Sequence, residues 1–209
     1  LTVCLGDLVG YGAFPNEVIE TIRQHNIPTI RGNYDDGVGF EKLECGCAYK
    51  KPEDEERGQR SFEWTKTQVN ERNRRYLASL IDGMTLEAHS KVLWFVHGSP
   101  RRINEYLFED RPENALKRVL GERKVDALLF GHTHLPYDRV VEGTHFINTG
   151  SAGKPKDGDP RAAYALVTVA EDELSVEFVR VAYDVSAAAA AIRKTELPHY
   201  FAEALEQAK

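Results

Sequence analysis

The chain alternates short unbroken apolar runs with stretches of helical period and polar, glycine-rich loops. Its first run, Leu1, Val3, Cys4 and Leu5, closes on Gly6 and Asp7 and predicts a buried strand ending on a carboxylate. Pro15 then sets a turn and Asn16 is placed to cap a helix whose apolar face is Val18, Ile19 and Ile22. The segment "TIRGNYDD" reads as a short strand breaking at Gly32. Strand, crossover helix and strand in that order favour a parallel sheet. Residues 40–58 are irregular and charged and read as a surface loop, whereas "SFEWTKTQVNERNRRYLASLI" places Phe62, Thr65, Val69, Tyr76 and Leu80 at the spacing of one long amphipathic helix.

The second half repeats the theme. "KVLWFVHGS" is a strand ending on His97, "ENALKRVLGERK" a helix with Leu116, Val119 and Leu120 on one side, and "VDALLFGHTH" a buried strand ending on His132 and His134. Past Leu135 the texture turns to alternation broken by turn residues, which predicts a second β layer. Residues 184–209 are alanine-rich and predict a helical tail of two short helices parted at Pro198. We expect one α/β domain spanning residues 1–209, since 209 residues suit a single sizeable core.

Composition narrows the class. An apolar share of 42% with 29% charged residues is that of a globular protein. The net charge of −6 offers no broad attraction to nucleic acid or anionic lipid. The apolar tract around Ala187–Ile192 falls far short of the roughly 20 residues of a membrane span. Three cysteines, Cys4, Cys45 and Cys47, suit a reducing cytoplasm, with Cys45 and Cys47 expected as free loop thiols rather than metal ligands. No charged-then-apolar leader is visible at the start.

Asp7, Asn33, His97 and His132 share one property: each follows a strand candidate and precedes a glycine-containing or polar loop. Ligand sites of open α/β sheets lie beyond the carboxyl ends of the strands, so side chains delivered there converge. One carboxylate, one amide oxygen and two imidazoles suit manganese, iron or zinc better than calcium. Arg101 and Arg102 follow the His97 strand, where a guanidinium fork matches phosphate oxygens, although a solvated surface pair reads equally well.

"GD", "GNYD", "HGS" and "GHTH", in this order and each at a strand end, together with "HGSPRR", "NTGSAGKP" and "GDPRAAYAL", resemble the calcineurin-like metallophosphoesterase superfamily, in particular its small bacterial and archaeal branch. The resemblance runs from Gly6 to about Leu166. It implies a two-layered β-sandwich flanked by helices, with two divalent metal ions at the strand ends. It makes Asp7 the carboxylate that bridges both ions, gives Asn33, His97 and His132 to one of them and His134 to the other, and names Asp7, Asn33, Asp35 and His97 as the catalytic set, with Asp35 orienting its neighbours. A bridging hydroxide attacking phosphorus is the implied chemistry.

Two departures stand out. The superfamily's first motif, an Asp-x-His, is absent before Asp7, so a preceding strand-plus-helix unit of roughly 30 residues carrying the other ion's ligands is expected outside this chain. Tyr34 stands where many relatives place a His, and is read with Arg101 and Arg102 as substrate-facing. A tyrosine, with an ordinary pKa near 10, is a poor proton donor at neutral pH, which favours diesters or monoesters with good leaving groups. The expected function is hydrolysis of a small phosphoester such as a nucleotide derivative, without membrane or nucleic-acid partners; a homo-oligomer is compatible with it. The alternative is a non-catalytic protein-interaction scaffold on the same fold, which has no need of Asp7, Asn33, His97, His132 and His134 together.

Overall fold

A computed structural model of the chain describes every residue except Lys50 and Asp172. Its centre is a five-stranded mixed sheet. The strands β1 (Gly83–Ala88) and β2 (Lys91–Val96) form an antiparallel hairpin, and β3 (Ala127–Phe130) lies parallel to β2. A second hairpin, β4 (Tyr137–Val141) and β5 (Thr144–Asn148), joins through β5, parallel to β3, to give the order β1-β2-β3-β5-β4. The β2-to-β3 crossover carries α5 (Glu113–Leu120), as parallel neighbours require.

The two faces of the sheet have separate cores because side chains alternate along each strand. Val96, Leu128, Phe130 and Phe146 point to one side and bury Leu116 and Val119 of α5 and Leu107 of the preceding loop. Leu93, Phe95, Leu129 and Ile147 point to the other and receive Ala165, Val167, Val176 and Phe178. Those residues belong to the second sheet, the antiparallel pair β6 (Ala162–Val169) and β7 (Leu174–Val181). The expected two-layered sandwich with flanking helices is thus the architecture found. Among the described residues no helix is long and apolar enough to cross a membrane.

The amino-terminal half differs from the sequence reading in detail. The expected strands at Leu1–Leu5 and Thr29–Arg31 shrink to single parallel bridges, Cys4 to Thr29 and Ile30 to Ile81. Pro28 has no N–H to donate, and its carbonyl accepts from the Cys4 N–H at 2.9 Å. Gly6 and Asp7 then leave the extended region, with φ of 91° and 54°. The short ladder still does the expected work, because it delivers residues 7 and 33 beside each other.

The predicted helix forms as α1 (Pro15–Gln24), but Phe14 rather than Asn16 is its cap, Asn16 bonding to Gln68 and Asn70 instead, and Val18 of the expected apolar face is exposed; α2 (Asn33–Gly39) starts directly after Gly32. The long helix expected over 61–81 is two helices, α3 (Pro52–Gln68) and α4 (Glu71–Ser79). Its start was hidden in the charge cluster: Pro52 opens α3, and Glu53, Asp54 and Glu55 sit in the first turn, where acids favour the helix N-terminus. Its break is Asn70, whose side chain accepts from the Asn73 N–H at 2.9 Å and caps a new helix. The tail forms the two expected helices, α6 (Val185–Arg193) and α7 (Tyr200–Gln207). They pack Ile192, Leu197, Phe201 and Leu205 against Tyr11 and Trp64, so the tail closes over the loop that follows Asp7.

Candidate metal centre

Four donor atoms converge beyond the carboxyl ends of the strand segments. His97 Nε2 lies 3.2 Å from Asp7 Oδ2, 3.1 Å from Asn33 Oδ1 and 3.2 Å from His132 Nδ1. Each side chain comes from a different junction: Asp7 from the first segment, Asn33 from the N-terminus of α2, His97 from the end of β2 and His132 from the loop after β3. Asp7, His97 and His132 are also a group whose ligand atoms all fall within 4.8 Å of one another.

The orientation of these atoms is set by what their other ends do. The His97 Nδ1–H donates to the Leu5 carbonyl at 2.7 Å, which leaves the Nε2 lone pair facing inward. Asn33 spends its amide N–H groups on the Cys45 carbonyl at 3.0 Å and on Cys47 Sγ at 3.2 Å, which turns its Oδ1 inward. A carboxylate oxygen, an amide oxygen and an imidazole lone pair therefore point at one place. Such an assembly of acceptors is unfavourable unless a cation or a proton sits among them. Bonds of about 2.1 Å to a divalent ion put neighbouring donors about 3.0 Å apart at right angles and about 3.4 Å apart at the tetrahedral angle. The observed 3.1 and 3.2 Å separations fall within that span, so the residues fit a divalent ion.

Charge favours a cation or a proton at that place. Burial opposes ionisation of Asp7, but the charge of His97 and a hydrogen bond to it hold the carboxyl below the usual range. His97 is raised in turn, the pull of Asp7 outweighing burial. Burial and then repulsion from His97 push His132 down to about 4, so it is the neutral imidazole that a metal requires. The buried His132 Nε2 has no hydrogen-bond partner among the described residues.

Asp35 does not enter the cluster. Its fully buried carboxylate accepts from the N–H groups of Asp7 at 2.8 Å, Leu8 at 2.9 Å and Gly32 at 2.9 Å. Asp7 Oδ1 in turn accepts from the Tyr34 N–H at 2.8 Å. Burial and the neighbouring Asp7 push the Asp35 carboxyl up to about 7, against the pull of its backbone donors. These three bonds suit the role expected of Asp35, that of orienting its neighbours. Gly32 belongs to the same knot: a Cβ there would overlap both the Asp7 backbone nitrogen and its carboxylate. Asp7, His132 and His134 all hold left-handed backbone, with φ of 54°, 65° and 64°. Non-glycine residues in that region cost roughly 1–3 kcal/mol each and concentrate at functional sites.

His134 lies outside the three-residue cluster. Its Nδ1–H donates to the Lys154 carbonyl at 2.6 Å, so Nε2 is the nitrogen left for a ligand, and burial lowers its pKa well below the ordinary value. The expectation for Tyr34 changes. Tyr34 is buried, its ring 4.8 Å from that of Tyr11 and 5.7 Å from that of Phe62, and burial raises its hydroxyl well above the usual pKa. It is a core residue rather than a substrate contact, because the backbone at 34 faces Asp7 while the ring turns under the loop at Gly10. Arg101 and Arg102 line a cleft of about 590 Å³ that reaches His97 and is bordered by Trp94 and Arg123. The Arg101 guanidinium pairs with Glu105, with Nε at 3.1 Å, and stays largely exposed.

Glu105 ties the loop after β2 together. It also accepts from Ser99 Oγ at 2.6 Å and from Arg111 at 2.8 Å. Burial opposes its ionisation, but hydrogen bonds from Arg101, Ser99 and Arg111 prevail and hold it at about 2. A carboxylate with a lowered folded pKa contributes stability above its unfolded value, and loses it as the pH falls through the folded one. Glu105→Gln is expected to lower stability by about 1–2 kcal/mol at pH 7. In denaturant titrations the gap to the parent should narrow between pH 4.5 and about 2. A gap that stayed constant over that range would contradict this account.

Three contributors escaped the sequence reading. Lys154 fixes the His134 tautomer through its carbonyl, which no side-chain motif encodes. Tyr106 lays its ring 4.1 Å from that of His132, at a separation of 26 residues with no local pattern. Asn148 donates to the Gly131 carbonyl at 2.7 Å and to Thr133 Oγ1 at 2.9 Å, stitching the end of β5 to the His132 loop. The "NTGS" string was the available signal for it.

Comparison with known proteins places this geometry in context. Residues 1–172 match the calcineurin-like phosphoesterase superfamily domain. An uncharacterised protein of Methanocaldococcus jannaschii is 34% identical over 220 residues, an alignment spanning 97% of this chain and 84% of that protein. The crystal structure of a metallophosphoesterase from Sphaerobacter thermophilus superposes with a TM-score of 0.76 at 28% identity, covering 99% of this chain and 88% of that one. A hypothetical protein from Pyrococcus horikoshii OT3 has the same fold, with a TM-score of 0.80 at 24% identity over 96% of this chain and 82% of its own.

Proposed function

The chain belongs to the calcineurin-like phosphoesterase superfamily, and on that premise we infer that it hydrolyses small phosphate diesters, or monoesters with good leaving groups, with two divalent metal ions bound. The carrying observation is the clustering of Asp7 Oδ2, Asn33 Oδ1 and His132 Nδ1 around His97 Nε2, at 3.2, 3.1 and 3.2 Å. These four would hold one ion, of manganese, iron or zinc. Asp7 would be shared with a second, to which His134 would contribute Nε2. Bound divalent ions supply Lewis-acid polarisation of the phosphoryl oxygens and a nucleophile derived from water.

The chain's own groups fix the rest. Asp7, anchored by the Tyr34 N–H, brings negative charge that keeps cations in place; His97, locked in one tautomer by the Leu5 carbonyl, offers only its lone pair. Asp35 holds the turn at residues 7–8 against the start of α2. The buried Tyr34 hydroxyl supplies no proton to a departing alkoxide, which supports the preference for leaving groups that need none. The net charge of −6 supports a small-molecule substrate over nucleic acid.

Protein stripped with EDTA is expected to leave bis-p-nitrophenyl phosphate intact, and to regain at least about 10²-fold in rate when Mn²⁺ is restored. Ethyl phosphate should be cleaved much more slowly than p-nitrophenyl phosphate. Neither metal binding nor turnover in the presence of Mn²⁺, Fe²⁺ or Zn²⁺ would favour the scaffold reading instead.

A further inference from the structure

The Cys45-Gly46-Cys47 stretch lies against the metal centre rather than in a remote surface loop. Contrary to the expectation of two free thiols, the two sulfurs are joined as a disulfide, while Cys4 remains free. Both members touch the same donor: the Asn33 side-chain amide gives one hydrogen bond to the Cys45 carbonyl at 3.0 Å and one to Cys47 Sγ at 3.2 Å. From the other side Asn104, in the loop after His97, donates to the Gly46 carbonyl at 2.7 Å. The segment is thus clamped between two asparagines, one of which aims its oxygen at the donor cluster.

We propose that Cys45 and Cys47 are a reversible redox-modification site whose oxidised state aligns Asn33 for metal binding. The proposal rests on the reading of Asn33 as a metal-binding residue. With the disulfide closed, Cys47 Sγ is held where it takes one of the two Asn33 amide hydrogens, and the amide has one orientation, oxygen inward. Opening it frees Cys47 to swing away, removes one of the two bonds that fix the amide, and lets Asn33 Oδ1 leave the cluster. Groups that orient a metal-binding side chain commonly govern affinity by about 10- to 100-fold. The bond encloses a single intervening residue, so it adds little to the stability of the fold, in contrast to bridges that close long loops. Cys45 is buried and Cys47 half-buried, which makes Cys47 the sulfur that a small reagent reaches first.

The oxidant is a low-molecular-weight disulfide. The Cys47 thiolate attacks one of its sulfurs, forming a mixed disulfide and releasing one thiol. The Cys45 thiolate then attacks Cys47 Sγ and releases the second thiol. Two electrons pass from the cysteine pair to the reagent, and the two cysteine protons end on the released thiols.

The test uses the full chain in a Cys4→Ala background, equilibrated with either oxidised glutathione or dithiothreitol, the small reagents then being removed. Mass spectrometry should find the oxidised chain lighter by two hydrogen atoms and resistant to iodoacetamide at Cys45 and Cys47, and the reduced chain alkylated at both. Calorimetry with Mn²⁺ alone should give a Kd about tenfold lower for the oxidised chain, and the difference should vanish in Cys47→Ser. Should Cys45 and Cys47 stay fully alkylatable after oxidised glutathione, the site is not a redox site. Equal Mn²⁺ affinity in two verified redox states would overturn the coupling to Asn33 while leaving the metal centre intact. Binding by neither state would overturn both readings.

Discussion

Asp7→Asn is expected to lower turnover of bis-p-nitrophenyl phosphate by at least about 10³-fold, an increase of about 4 kcal/mol in the barrier. The side chain keeps its shape, and an amide oxygen in the Oδ1 position still accepts from the Tyr34 N–H. What changes is the other end: an –NH₂ group replaces Oδ2, 3.2 Å from His97 Nε2, where a charged donor atom had been. The cluster loses its negative charge and one of its four converging acceptors together. Mn²⁺ affinity measured by calorimetry should fall with activity, and the metal-free chain should also lose some stability, because His97 and the Tyr34 N–H hold the Asp7 carboxyl below its usual range. Activity within tenfold of the parent would sink the assignment of Asp7 as the central ligand.

A second large effect is expected from Asp35→Asn, and it should separate positioning from metal binding. The carboxylate serves three backbone donors, two on Oδ2 and one on Oδ1. An asparagine oxygen can keep the pair from Asp7 and Gly32, but its –NH₂ group then confronts the Leu8 N–H. Leaving one buried donor facing another costs about 1–3 kcal/mol, which in a chain of this size lowers Tm by about 3–10 °C. Because the same bonds hold the left-handed turn that presents Asp7, kcat should drop by about 10- to 100-fold, with substrate KM less affected. A variant that kept parental Tm and kcat would show that the Asp35 hydrogen bonds do not position Asp7. Loss of activity without loss of stability would argue instead for a direct role at the substrate.

Where the sequence and the structure part company, the cause is physical and local. The charge cluster at residues 50–56 reads as a solvated loop, yet Pro52 and the acids behind it are the start signal of α3. The apolar spacing through Val69 continues without a gap, and only the Asn70 cap breaks it. Tyr34 stands where many relatives place a His, and that resemblance gave it to the substrate. The helix turn that exposes the Asn33 oxygen carries the next side chain under Gly10 and into the core.

What the sequence alone determined was the type and order of the chemistry: a carboxylate, an amide and imidazoles, each at the end of an apolar run and each next to a glycine or a polar turn. That much is local, because strand ends and turns are written in runs of a few residues. The tertiary structure alone decided which of those groups meet. Asp7, Asn33, His97 and His132 are separated by 26, 64 and 35 residues along the chain, and only the sheet order, the Asp35 bonds and the Leu5 carbonyl bring their donor atoms within 3.1 and 3.2 Å of His97 Nε2. It also decided that the Tyr34 ring is buried, that Arg101 pairs with Glu105 and that the Cys45–Cys47 pair leans on Asn33. Side-chain direction and hydrogen-bond partnership depend on contacts between distant segments, and no periodicity in one segment can encode them.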